Sequence, residues 1–339
     1  MNTLTLSASF EVLRSHLIDG QVQSALERMR PDDLSPGEVL VRNLHAGVNY
    51  KDCLSILGKA KIISDFPRVA GIEAVGTVIE SSSPSFHPGE AVLVHGHETG
   101  IRFDGGFAEI LRVPAAHLQQ VPPGLTPLEC AVLGVPAFTA AMALERFEEL
   151  GLTRESGPVA VSGASGAVGT MAIAILAKAG YEVAAITRNL AHAPVLQSLG
   201  ATEVIDAAVL DQPQRALEKA RFAAAMDNVG GPMLSWLMRS MQDSGAIAVI
   251  GNAAGNTFEG SGLPFFMRRL QMFGVNANAP WPQRQCLWER LGSTWKPDLE
   301  KLTPHVHHIF LNQLMDYAGQ QLRGNTSGRT LVSFQGRRS

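Results

Sequence analysis

The stretch "PVAVSGASGAVGTMAIAILAKAGYEVAAITRN", Pro158 to Asn189, constrains the fold more tightly than any other. Gly163, Gly166 and Gly169 recur at three-residue spacing. An apolar run precedes them, a small-residue helix follows through Lys178, and a second apolar run stops at Thr187-Arg188-Asn189. That stop lies 24 positions after the first glycine (187 − 163). An isolated ladder of this kind is explained equally well by a helix packed close on a sheet. The order strand, glycine turn, helix, strand favours a dinucleotide site. The first glycine makes the tight turn, the second admits the pyrophosphate, and the third lets helix meet strand. Ser165, Gly166, Ala167 and Val168 open the helix, whose N–H groups and positive dipole end suit an anion.

The end of the second strand selects the nucleotide. An NAD site usually offers Asp or Glu there to the ribose hydroxyls. Here Thr187, Arg188 and Asn189 carry no carboxylate. An arginine suits the 2′-phosphate of NADP; the alternative is an ordinary surface arginine. The expected cofactor is NADPH.

The 339 residues suggest about two domains. The first 120 or so carry short apolar runs broken by Pro and Gly: "GEVLVRNLHAGVN", "AGIEAVGTVIESS", "PGEAVLVHG" and "GGFAEILRVPAAHLQQVP". They read as strands with tight turns, an antiparallel, barrel-like pattern. After Pro122-Pro123-Gly124, Thr126 or Pro127 can open a helix. Strands and helices then alternate: "PVAVSG", "YEVAAIT", "APVLQSLG", "EVID", "AAAMDNV", "GAIAVIG" and "LQMFGVNA". This spacing predicts a parallel sheet with crossover helices. A helix around "NQLMDYAGQQL" leads to a last strand, "LVSF", which returns to the first domain.

A net charge of −3 without charged blocks argues against nucleic acid or a membrane surface as a partner held by bulk charge. No apolar run is read as approaching the roughly 18 residues of a membrane span. "MNTLTLSASFEVLRSHL" lacks the basic and long apolar regions of a signal peptide. Cys53, Cys130 and Cys286 are few and scattered, as in a reducing compartment. The expectation is a cytoplasmic protein.

"VNYKD", "AGIEAVGTV", "GGFAE", "GVPAFTA", "SGASGAVG", "LGATEVID", "DNVGG" and "GRTLV" span nearly the whole chain. Together they resemble the medium-chain dehydrogenase/reductase superfamily. "NYKD", "FPRVAGIE", "FHPGEAVLV", "FTAAMAL" and "PFFMRRLQMFGV", in that order, are similar to its zinc-free, quinone-oxidoreductase-like branch, which includes acrylyl-CoA reductases. The resemblance implies an α/β fold with a GroES-like β-barrel domain at 1–124, completed by 300–339. A doubly wound Rossmann domain binding NADPH would occupy 125–299. It places Asn49, Tyr50 and Asp52 in the nicotinamide pocket as catalytic candidates. Tyr50 is either proton donor or stacking group, or packing only; Asn49 holds a carbonyl or, with Asp52, ties down a turn. Thr139 beside Phe138, Gly251, Asn252, Ala253 and Asn276 near Asn278 would face the cofactor or serve as turn residues; Asp227 to Gly230 border them. The family's pairing of last Rossmann strands, here "LQMFGVNA", implies a homodimer. Two departures stand out. Relatives tend to read Asp where this chain has Glu73, and place an arginine at the position of Asn189.

No metal is expected. Zinc members carry cysteine in the "VNYKD" segment and Gly-His-Glu where this chain reads Gly71-Ile72-Glu73, and Ile72 binds no metal. His95, His97 and Glu98 read as a solvated loop. Without a Lewis acid, the expected substrates are already activated by conjugation. Three functions follow: an enoyl-thioester reductase acting on acrylyl-CoA, an NADPH quinone reductase, or an NADPH-binding sensor or interaction protein with little turnover. A CoA substrate calls for a basic mouth, with Arg268, Arg269 and Arg284 as candidates or as a mere solvated helix face. A short-chain dehydrogenase lacks support, since no Tyr-x-x-x-Lys pair occurs.

Overall fold

A computed structural model describes residues 9–334; residues 1–8 and 335–339, with those parts of the expected first domain, lie outside the description. The chain runs β1 (Phe10–Ile18), β2 (Gln21–Met29), β3 (Val39–Val48), α1 (Tyr50–Ile56), β4 (Arg68–Val69), β5 (Glu73–Ser81), β6 (Ala91–His95), β7 (Ile110–Val113), β8 (Gln119–Gln120) and α2 (Pro127–Glu149). It continues through β9 (Val159–Val161), α3 (Ala167–Ala179), β10 (Val183–Thr187), α4 (Ala193–Ser198), β11 (Glu203–Asp206), β12 (Phe222–Asp227), α5 (Gly231–Ser240), β13 (Met241–Val249), α6 (Leu263–Arg268) and β14 (Gln271–Gly274). Last come α7 (Trp281–Leu291), α8 (Leu299–Leu302), β15 (Val306–Ile309), α9 (Leu314–Leu322) and β16 (Arg329–Ser333).

Contacts divide the chain into two units. Unit 1 holds residues up to Val135 and from Val306 onward; unit 2 holds Pro136–His305. The sequence punctuation at Pro122-Pro123-Gly124 therefore precedes the division. The first turns of α2 stay with unit 1 because the Ala131 carbonyl and the Val135 N–H bond to its buried charges.

Among its described residues unit 1 contains two sheets. One has the order β2-β1-β4; the other runs β15-β16-β3-β5-β6-β8, with β7 also on β3. β1 and β2 turn on Asp19-Gly20, both at positive φ (51° and 78°). That is the backbone a two-residue hairpin loop requires. β3 is the hub: it pairs antiparallel with β5, β7 and β16. β16 takes β15 as a parallel neighbour. The returning strand expected at "LVSF" is β16. β1, β2, β4 and β15 lie outside the strand segments read from the sequence.

Unit 2 is the Rossmann half. Its sheet order is β11-β10-β9-β12-β13-β14, and every pairing is parallel. Numbered within the unit, that is 3-2-1-4-5-6, the doubly wound order that reverses direction beside its first strand. Buried Val, Ala and Ile dominate β9 and β10, as strands covered on both faces require. A core of Phe222, Met233, Leu234, Trp236, Leu237, Met238 and Ile247 packs α5 on the sheet.

α2 corrects one expectation. Over 23 residues it is long and apolar enough, by length and composition, to cross a membrane, yet 72% of its most apolar window is buried within the protein. Gly134 also leaves helical geometry (φ 48°, ψ −155°), and Pro136 follows. These features describe a core helix rather than a span.

Leu237 is fully buried in the unit 2 core. Leu237→Ala is expected to cost about 2–5 kcal/mol, read as an earlier urea midpoint by circular dichroism.

Candidate active site

In unit 2 the site is built on the carboxyl edge of the sheet. Parallel strands bring the turns after β9, β10, β12, β13 and β14 to that edge, so Ser165 to Val168 at the start of α3, Thr187 to Asn189 at the end of β10, Gly251 to Ala253 and Asn276 lie at the same end. Gly163 takes φ 57°, the left-handed backbone that suits glycine. A methyl at Gly169 would collide with the Gly163 carbonyl, so the third glycine is what lets α3 start against the turn. Gly166 caps α3 in extended geometry, and α3 leaves its first N–H groups without helical partners. The Thr170 hydroxyl donates to the Gly166 carbonyl (3.0 Å) and fixes the first turn.

At the end of β10, buried Thr187 accepts from the Asn189 N–H (3.2 Å), and Asn189 accepts from the Ala191 N–H (3.0 Å). Arg188 is exposed, and its guanidinium bonds to nothing among the described residues. Asn252 donates to Asn256 (2.5 Å), and Asn276 accepts from the Asn278 N–H (3.2 Å). Thr139 sits apart from the strand ends, buried on α2. Its neighbour Phe138 stacks with Trp288 and lies under the Arg284 guanidinium, 5.2 Å from the ring centre. Arg284 reaches the Ala277 carbonyl at 3.5 Å, which ties that region to the turn holding Asn276.

Arg284 and Arg268 do not form the expected basic mouth. Arg284 is 1% exposed, and burial pushes its pKa down to about 10. Arg268 is spent on the carbonyls of Arg239, Met241 and Glu218 (2.6, 2.8 and 2.5 Å). Arg269 pairs with Asp243. Arg269 keeps an exposed side chain in that surface pair, as a solvated helix face would.

In unit 1 the residues around Asn49 form a buried polar network. Asn49 caps α1, and Asp52 accepts from its N–H (2.9 Å) and its side-chain amide (3.1 Å). The other Asp52 oxygen accepts from the Ile72 N–H (2.9 Å). The Asn49 amide also donates to Glu73 (2.8 Å). Glu73 pairs with Arg329 at 2.7 Å and accepts from the Val135 N–H at 2.8 Å. Arg329 further donates to Asn49 Oδ1 (3.3 Å) and the Ala131 carbonyl (2.9 Å). Both charges are nearly sealed from solvent, at 1% and 6% side-chain exposure. Methyl groups at Gly47 or Gly134 would strike them. Sequence reasoning missed Arg329 as a functional residue; the available signal was a charge heading an apolar strand, "RTLVSF".

Asn49 and Asp52 thus tie down a turn. Tyr50, at 37% exposure, leaves its ring half open beside them. Burial pushes the Asp52 carboxyl up to about 7, the Glu73 charge adds to the rise, and the bonds from Asn49 and Ile72 oppose it.

The donors here do not suit the zinc of related enzymes. The Cys53 thiol is buried, which raises its pKa, and donates to Gln321 (3.0 Å). Ile72, the residue before Glu73, carries no ligand atom. No three His, Cys, Asp or Glu side chains converge among the described residues.

This geometry has close counterparts. Residues 35–123 match the alcohol dehydrogenase GroES-like domain, and residues 167–293 match the zinc-binding dehydrogenase family model. The putative quinone oxidoreductase YhfP of Bacillus subtilis is 34% identical over 97% of this chain and all of its own; its structure with NAD bound superposes with a TM-score of 0.90 over 97% of this chain and 100% of that one. The acrylyl-CoA reductase AcuI of Ruegeria pomeroyi is 35% identical over 92% of this chain and 95% of its own. The YhdH oxidoreductase of Salmonella enterica, crystallised with NADP, is 33% identical with a TM-score of 0.90, over 96% of this chain and 100% of that one. The chain belongs to the medium-chain dehydrogenase/reductase superfamily. Within it, it falls in the quinone-oxidoreductase-like branch, and it is an oxidoreductase of that family.

Two tests address the unit 1 network. Removing one partner of a buried ion pair costs about 3–5 kcal/mol, so Arg329→Met is expected to lower the urea midpoint steeply. A proton held on folded Asp52 is given up by the unfolded chain from about pH 4 upward. This group therefore lowers stability as pH rises from about 4 toward 7. Asp52→Asn should flatten that slope in urea titrations at pH 5 and 7, whatever it does to absolute stability.

Proposed function

We propose that the protein is a zinc-independent, NADPH-dependent reductase that delivers hydride to a conjugated acceptor, with acrylyl-CoA or a similar α,β-unsaturated thioester as the leading substrate. The observation that carries the reading is the unit 2 carboxyl edge: a glycine turn built to admit pyrophosphate, with a free arginine where the nucleotide ribose is selected. NADP and NADPH occupy solved relatives, and NAD occupies another; Arg188 favours the phosphorylated form here. Bound NADPH supplies the hydride. The helix start at Gly166 to Val168 holds the pyrophosphate, and Arg188 pairs with the 2′-phosphate. Gly251 to Ala253, Thr139 and Asn276 line the rest of the cofactor.

Reduction of a conjugated C=C leaves negative charge on the carbonyl oxygen, which needs a hydrogen-bond donor, and the α-carbon then takes a proton. Tyr50 is our candidate for meeting the substrate; Asn49 and Asp52 set its position by fixing the first turn of α1. The donor chemistry around Ile72, Cys53 and Glu73 supports zinc independence. AcuI supports an enoyl thioester as acceptor, and YhfP keeps a quinone as the second reading. The phosphates of a CoA ester must find cations other than the buried Arg284 and the carbonyl-bound Arg268. Three free thiols fit a cytoplasmic setting. β14, the last strand of its sheet, has an open edge that would pair with a second copy in a homodimer.

Arg188→Glu should raise the KM for NADPH at least tenfold, about 1.4 kcal/mol or more, with little change for NADH; an unchanged KM removes the arginine from the cofactor site. Absorbance at 340 nm, with NADPH and either acrylyl-CoA or 1,4-benzoquinone, separates the two acceptors. Turnover confined to the thioester establishes the first reading. Turnover confined to the quinone replaces it with the second.

A further inference from the structure

One buried residue, Asp227, joins three turns of the unit 2 carboxyl edge, two through its carboxylate and the third through its main-chain carbonyl. Asp227 ends β12 with no solvent exposure. Its Oδ1 accepts from Ser162 Oγ (2.5 Å) and the Val229 N–H (3.2 Å); its Oδ2 accepts from the Gly230 N–H (3.0 Å). Its main-chain carbonyl accepts from the N–H groups of Ile250 (2.9 Å) and Gly251 (3.1 Å). Ser162 Oγ accepts in turn from the Asn228 N–H (2.9 Å), and the Asn228 amide donates to the Ser162 carbonyl (2.8 Å). Ser162 opens the glycine turn after β9. Asp227 is thereby bonded to that turn, to its own turn at 228–230 and to the turn after β13.

The three turns interlock without slack. A methyl at Gly251 would collide with the Asn228 carbonyl, and one at Gly230 would crowd the Gly255 carbonyl. The Ala254 N–H donates to the Val229 carbonyl (2.8 Å). β9 and β12 are also the strands between which the sheet order reverses, where doubly wound sheets take their ligands. A buried carboxylate is a costly way to fill space, and its three acceptor contacts are all aimed at loop geometry.

We propose that Asp227 is the positioning residue of the cofactor site, acting through Ser162, Val229 and Gly230. It sets the spacing between the glycine turn, which meets the pyrophosphate, and the turn at 250–253, which meets the nicotinamide half. Being sealed from solvent, it acts through these turns and not by touching the cofactor. The inference rests on the cofactor reading above and adds to it the residue that holds the two halves of that site in register.

The test is NADPH affinity, measured by fluorescence titration on the full chain, beside thermal midpoints. Asp227→Asn keeps the shape but points an N–H₂ at a donor, so one turn loses its acceptor. It should weaken NADPH about tenfold, equivalent to about 1.4 kcal/mol. Ser162→Ala, a milder change that guards against misfolding, should shift the affinity in the same direction. Phe222→Leu, at the opposite end of β12, serves as the control for lost stability alone and should keep parental affinity. Parental affinity in Asp227→Asn and Ser162→Ala overturns the inference, as does equal weakening in Phe222→Leu at the same loss of midpoint. If the parent protein binds no NADPH, the cofactor reading falls and the inference falls with it.

Discussion

The Glu73–Arg329 ion pair is the constraint around which unit 1 is arranged. It joins β5 to β16 at 2.7 Å, and each partner recruits neighbours. Glu73 takes the Val135 N–H and the Asn49 amide; Arg329 takes the Ala131 carbonyl and Asn49 Oδ1. Buried charges are tolerated only when geometry and hydrogen bonds make up for lost water, and here the backbone of α2 and the Asn49 side chain supply them. The space comes from Gly47 and Gly134, whose missing side chains leave room for the guanidinium and carboxylate. The helical break at Gly134 and the small residue at Gly47 are thus steric consequences of one charge pair. The longer reach of glutamate over aspartate suits this wide set of partners.

The unit 2 edge works on the same principle with different parts. A buried carboxylate, Asp227, collects donors from a serine and two backbone groups. In both units a sealed acidic side chain organises loops, while candidate contact groups stand outside it: Arg188 beyond β10 and Tyr50 on the first turn of α1. In the proposed reading the acid gives rigidity and the exposed neighbour meets the ligand, a division suited to sites that must hold their geometry without one.

The Rossmann half was legible because its signals are local. The glycine spacing, the apolar runs and the strand-end residues lie within a few turns of one another, and every strand read there from β9 to β14 exists. The N-terminal half was read less fully. β1 and β2 announce themselves only by Asp19-Gly20, a strong hairpin signal between strands of mixed polarity. β15, "VHHI", offers no apolar run at all. The candidate site split along the same line. Asn49 and Asp52 carry the spacing of a helix cap, legible at three residues. Their link to Arg329 spans 280 positions and leaves no local trace. Arg284 was misjudged because a lone arginine among polar residues looks solvated; its burial depends on Phe138, far away in sequence.

The discontinuity of unit 1 bears on how the chain is made. Unit 2 is one unbroken segment and has all its strands once His305 has been synthesised. Glu73 leaves the ribosome 256 residues ahead of Arg329. Throughout that interval its carboxylate, destined for burial, has no cation to meet, and β3 lacks the neighbour that β16 will become. Vectorial synthesis therefore favours an order in which the later-encoded unit is finished first and the earlier-encoded one waits for its last strand.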